Sequence, residues 1–141
     1  MELSDALRFA RLKRQGVLTT IKADGRPQLS NITYCLNEAN EVRISITADR
    51  AKYFNLLRDP RASVHVTSED FYAYAVLEGT ATVMPVAASP DDPTVEALVE
   101  LYRLIAGEHP GWDDYRAAMI ADRRTVVSIP VDHAYGMLRP T

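Results

Sequence analysis

Residues 16–31 read GVLTTIKADGRPQLSN, two β-rich runs joined by Asp24-Gly25. Gly16 to Lys22 is dominated by Val, Leu, Thr and Ile, which favour extended backbone. Asp-Gly between two such runs is the strongest short hairpin signal, because glycine accepts the positive φ that tight turns demand. The stretch predicts an antiparallel hairpin whose second strand continues through residues 27–36 (PQLSNITYCL). A polar turn at 37–40 follows. Then Glu41 to Thr47 (EVRISIT) alternates, with Val42, Ile44 and Ile46 on one face. The first half of the chain therefore opens as a β-meander.

Outward from this meander the pattern changes period. Upstream, residues 4–15 carry Leu7, Phe9 and Leu12 among basic residues, a short amphipathic helix closed by Gly16. Downstream, residues 49–58 predict a second helix with Phe54 and Leu57 on one side, ended by Asp59-Pro60 because proline disfavours helical geometry before it. Residues 61–67 (RASVHVT) and 72–84 (YAYAVLEGTATVM) return to strand, and Gly79 inside the second suggests a bulge or a barrel corner. Asp92-Pro93 caps a helix whose Val95, Leu98, Val99, Tyr102 and Ile105 keep the helical period to Gly107. A helix over 112–121 presents Trp112, Tyr115 and Met119, aromatic anchors to the barrel or to a second subunit. Strands at 124–131 and 133–137 finish the chain. Six or seven mostly sequential antiparallel strands, with spacings too short for crossover helices in the first half, fit a closed or partly open antiparallel barrel with flanking helices.

The 141 residues suit one domain covering 1–141, with 47% apolar and 25% charged residues, an ordinary globular composition. A net charge of −3 argues against a general nucleic-acid or membrane binder, so any anion site has to be local. One cysteine, Cys35, excludes an internal disulfide framework and Cys-cluster metal motifs. His65, His109 and His133 lack metal-ligand spacing, and no metal site is expected. There is no nucleophile elbow and no Gly-rich phosphate loop. The N-terminus shows no signal peptide and no apolar run is long enough to span a bilayer, so a cytoplasmic protein is expected.

The chemistry-bearing stretch is residues 43–55, RISITADRAKYFN. Arg50 and Lys52 fall in the first turn of a helix, whose partial positive charge disfavours them. Either an anion sits between them, with Ser45 and Thr47 as hydroxyl donors, or both are solvated and Asp49 neutralises that end. In residues 25–31, Gln28 and Ser30 share one strand face, with Leu29 and Asn31 on the other. Their amide and hydroxyl groups suit the edge of a heteroaromatic ring, or simply face water. Tyr72 and Tyr74 could flank a planar group or pack the sheet.

The runs GVLTTIKADGRPQLSN, ADRAKYFNLLRDPRASV and YAVLEGTATV resemble the pyridoxamine 5′-phosphate oxidase-related superfamily. Together with DDPTVEALVELYRLIAGEHPGWDDYRAAMIADRR they are most similar to its deazaflavin (coenzyme F-420)-dependent reductases of the B group. The resemblance implies a split β-barrel homodimer with cofactor sites at the subunit interface. It implies that Arg50 and Lys52 hold the cofactor phosphate, that Ser45 and Ile46 line the pocket, and that Asn55 lies beside it. Gln28, Ser30 and Asn31 match the strand facing the tricyclic ring, and Tyr72 matches an aromatic position near it. The implied cofactor is coenzyme F-420, with FMN as the alternative. The implied activity is hydride transfer to a small conjugated acceptor such as an enone, quinone or tetrapyrrole, with no catalytic side chain assigned. A non-catalytic cofactor carrier is the alternative from another class. The oligoglutamate tail of the deazaflavin would favour further basic residues, for which Arg58 and Arg61 are candidates by proximity. By the same resemblance, the ending YGMLRPT is expected to lack the C-terminal region with which vitamin B6 oxidases hold substrate, and vitamin B6 oxidation is not expected.

Overall fold

The computed structural model of the chain describes residues 1–140. Its elements are α1 (Leu3–Arg11), β1 (Gln15–Ile21), β2 (Pro27–Thr33), β3 (Cys35–Leu36), β4 (Glu41–Thr47), α2 (Ala51–Arg58), β5 (Arg61–Thr67), β6 (Tyr74–Thr80), β7 (Thr82–Val83), α3 (Pro93–Ala106), α4 (Trp112–Ala121) and β8 (Arg124–Met137). The strands form an antiparallel path β2-β1-β5-β6-β8-β4-β3, with β7 added to β8. This is a mainly β protein with flanking helices, curved into a split barrel.

The Asp24-Gly25 hairpin is present, with Gly25 at φ 87° and Thr20 opposite Gln28. The expected 27–36 strand is broken at Tyr34. Its backbone N–H donates to Arg14 O at 2.8 Å, and its fully buried hydroxyl donates to Ala10 O at 2.6 Å. The chain there leaves β1 and joins β4. The upstream helix is shorter than expected, because pairing of Gln15 with Thr33 claims its end for the sheet. The two final strands are one. β8 pairs with β4 through Arg124–Pro130 and with β6 through Val131–Met137. Where it passes from one partner to the other, Gly79 lies so close that an added Cβ would stand 2.1 Å from Pro130 O. The register shift between Glu78 and Gly79 marks the corner expected at that glycine.

Inward-facing residues of both halves form one core, including Leu18, Ile44, Val64, Leu77 and Ile129, each fully buried. Ala6, Leu7 and Ala10 of α1 and Leu56 of α2 close it. A second cluster joins Val95 and Leu98 of α3 to Met119 of α4 and Val126 of β8. Asp92 caps α3 by accepting from Val95 N at 2.8 Å, with Pro93 in the first turn. No helix among the described residues is long and apolar enough to cross a membrane.

Candidate functional site

β4 meets β3 only at Val42 and Arg43, which leaves Ser45–Thr47 without a neighbour on that edge. β2 is the other end of the sheet path, so its outer edge is open as well. The curvature brings these two open edges to one cleft, and the start of α2 lies between them. A cavity of about 380 Å³ there is lined by Gln28, Ser30, Ser45, Thr47, Arg50 and Lys52, with Arg124 of β8. It shares Ser45, Lys52 and Arg124 with a second cavity of about 420 Å³ that extends toward α3 and α4.

Three cations converge on this cleft. Lys52 Nζ donates to Ser30 Oγ at 3.4 Å, and Arg124 Nη1 donates to Ser45 Oγ at 3.3 Å. The Lys52 ammonium titrates below the usual lysine range, first because it is partly desolvated and then because Arg50 and Arg124 repel it. Arg50 is the N-cap of α2 and makes no side-chain cap, and no acidic residue lies in the first turn. Asp49, the neighbouring carboxylate, is held below the usual range by the Thr47 hydroxyl that donates to it at 2.6 Å. Among the described residues no carboxylate lines either cavity. Asp122 lies 4.0 Å from Arg124 Nε and Asp49 adjoins Arg50, but neither carboxylate lines the cavities, so the cleft is electropositive and suited to an anion.

Most of the residues singled out from the sequence come together here. Gln28, Ser30, Ser45, Ile46, Arg50 and Lys52 line the narrower cavity, and Asn31 lines the wider one. Ile46 has its side chain in the core at 2% exposure, so it offers the cleft mainly its backbone. Asn55 is buried and lines neither cavity. It donates to Thr20 Oγ1 at 3.1 Å, and Thr20 donates to Gln28 Oε1 at 2.8 Å, so Asn55 fixes Gln28 from behind. Tyr72 is elsewhere, exposed on the β5–β6 connection beneath the Arg139 guanidinium, 5.0 Å from its ring. Arg58 is bonded to Ile21 O and Asn55 Oδ1, and Arg61 is paired with Asp59 at 2.7 Å.

Sequence reasoning missed Arg124 and the α3–α4 wall formed by Leu101, Tyr102, Ile105, Tyr115 and Met119. Arg124 reaches the cleft through the pairing of β8 with β4, Arg124 opposite Thr47, a contact across more than half the chain. The Arg123-Arg124 pair at the start of a strand was its one visible signal. Among the described residues no group of three His, Cys, Asp or Glu side chains is placed to hold a metal ion.

A family model described as pyridoxamine 5′-phosphate oxidase matches residues 4–137. The chain belongs to this family. Solved structures share the pyridoxamine 5′-phosphate oxidase fold at low sequence identity. A conserved hypothetical protein from Mycobacterium tuberculosis is 24% identical at a TM-score of 0.73, covering 96% of this chain and 84% of that one. An F-420 reductase is 22% identical at 0.65, covering 86% and 89%. The heme storage protein HutZ from Vibrio cholerae is 14% identical at 0.67, covering 96% and 94%.

Proposed function

We propose that this protein is an oxidoreductase that holds reduced coenzyme F-420 in the cleft between β2 and β4 and passes hydride to a small conjugated acceptor, with FMN as the alternative cofactor. The observation that carries the reading is the convergence of Arg50, Lys52 and Arg124 on one cleft with no carboxylate in its lining. Arg50 and Lys52 would hold a cofactor phosphate through charge-assisted hydrogen bonds, supported by the Ser45 hydroxyl. Gln28, oriented through Thr20, and Ser30 and Asn31 supply polar groups along β2 for the edge of a planar ring. The cofactor brings its own hydride chemistry, so the protein's tasks are anchoring, orientation and exclusion of water. The fold shared with an F-420 reductase supports the choice of deazaflavin.

The site is proposed to be completed by a second copy of the chain. The outer sheet face runs in register through Asn31, Val17, His65, Val76 and Tyr135. It exposes Leu29, Tyr135 and Met137. Homodimer formation through this face would bring a partner close to Asn31, and Tyr72 would then act from outside its own cleft.

Titration of coenzyme F-420 and FMN by fluorescence quenching tests the cofactor. Tight FMN binding with no deazaflavin binding overturns the first choice. A single-turnover assay of the reduced complex with enones, quinones and tetrapyrroles tests the reaction, and binding without oxidation by any acceptor favours the carrier reading.

A further inference from the structure

The wider cavity has a character that a phosphate cradle does not account for. Leu101, Tyr102 and Ile105 share one face of α3, and Tyr115 and Met119 lie one turn apart on α4. The Tyr115 hydroxyl donates to Leu98 O at 3.1 Å, so its polar atom is engaged within the protein. Tyr102 and Tyr115 have ring centroids 5.0 Å apart. His109 and Trp112 pack against Tyr102 at 5.2 and 5.7 Å, and Arg103 covers Trp112. This wall is apolar, aromatic and fixed.

Arg124 lines the same cavity. Its Nε is buried without a hydrogen-bond partner, and the nearest paired carboxylate oxygen, Asp122 Oδ2, is 4.0 Å away. That N–H is closed to a ligand, but the Arg124 side chain is 32% exposed, and its terminal N–H groups can meet a carboxylate with charge-assisted hydrogen bonds. A cavity of about 420 Å³ that joins this apolar wall to a polar lining of Asn31, Thr33, Ser45, Lys52 and Arg124 fits a flat ligand with one anionic end.

We propose that this cavity binds a small planar conjugated carboxylate, its unsaturated body against Tyr102, Tyr115 and Met119 and its carboxylate on Arg124. That such a ligand accepts hydride rests on the proposed function, whereas its binding to this cavity does not. Ser45, Lys52 and Arg124 border both cavities, so the anionic end lies beside the cofactor cradle.

The test is isothermal titration calorimetry of the full chain with trans-cinnamate and with cinnamamide, its neutral isostere, each without and with saturating FMN. Cinnamate is expected to bind at least about tenfold more tightly than the amide. Arg124→Gln is expected to bring the two within about twofold of each other, and Arg124→Lys to keep part of the preference. Ile105→Phe, which narrows the slot, is expected to weaken both. Thermal melts check that each variant is folded. Equal binding of the two probes, binding of neither, or a preference that survives Arg124→Gln overturns the proposal. So does competitive displacement of cinnamate by FMN, which would assign Arg124 to the phosphate. Cinnamate binding in a protein that binds neither FMN nor coenzyme F-420 would leave this site standing and remove the cofactor reading.

Discussion

Asn55 Nδ2 donates to Thr20 Oγ1 at 3.1 Å across the interface between α2 and β1, and both residues are buried. The bond ties the helix that carries Lys52 to the hairpin that carries Gln28. Asn55→Ala leaves the Thr20 oxygen without its donor and is expected to cost about 1–3 kcal/mol. A lower urea midpoint with an unchanged slope is the expected result, together with a modest loss of cofactor affinity. A large affinity loss at full stability would instead make Asn55 a direct ligand contact.

Lys52→Ala is expected to weaken FMN or coenzyme F-420 by at least about tenfold, the order for a lost charge-assisted contact of ~1.5–3 kcal/mol. Riboflavin, which has no phosphate, separates anchoring from ring binding. Its affinity should be nearly the same in both proteins, and an equal loss for FMN and riboflavin would move Lys52 away from the phosphate.

The depressed Lys52 ammonium gives cofactor binding a pH dependence of definite sign. A bound phosphate opposes the desolvation and the repulsion by Arg50 and Arg124, and so raises the lysine pKa again. Affinity is therefore full below the free protein's value. As pH rises from neutral through that value, affinity falls, and binding takes up protons in the same window. Calorimetry of FMN binding in buffers of different ionisation enthalpy measures that uptake. Lys52→Met should abolish it.

Asp92 governs the slot through the fold. Desolvation opposes its ionisation, but N–H bonds from Val95, Ala88 and Ser89 outweigh this and hold it below the usual carboxylate range. Its stabilisation is present above the unfolded pKa of about 4 and lost as pH falls through the lower folded value. Asp92→Ala is expected to remove ~0.5–2 kcal/mol at neutral pH. Thermal melts of variant and wild type should converge toward acid pH.

Gly79→Ala places a methyl group against the Pro130 carbonyl, where backbone has to move to admit it. A loss of ~1–3 kcal/mol is expected, typical of overpacking. A neutral melting temperature would show that the corner yields without strain.

The local rules were enough for most elements. The Asp24-Gly25 turn, the alternation of Val42, Ile44 and Ile46 and the Asp92-Pro93 cap each depend on neighbours within a few residues, while Gly79 announced its corner by residue type although Pro130, far along the chain, is what requires it. What could not be read depends on distance. Tyr34 breaks its strand because a carbonyl of α1 waits for its hydroxyl, and Arg124 joins the cradle because Thr47 lies opposite it. Arg50 and Lys52 were visible as misplaced charges, but nothing near them in sequence announces the third cation. Tyr72 has the opposite history, an aromatic residue picked out by resemblance that the single chain leaves outside the cleft.

β8 is the strand on which both halves of the sheet depend, and its pairing partners precede it by some fifty to ninety positions. Such distant pairings form late, since the chain entropy of a long loop is lost before the contact repays it. On a ribosome, the first 120 residues can make the hairpin and the helices but cannot close the barrel. Arg124 and the cleft edge it completes arise in that same closing step. Ligand competence is therefore a property of the finished chain, and a cofactor that binds the folded protein will report on the last event of its folding.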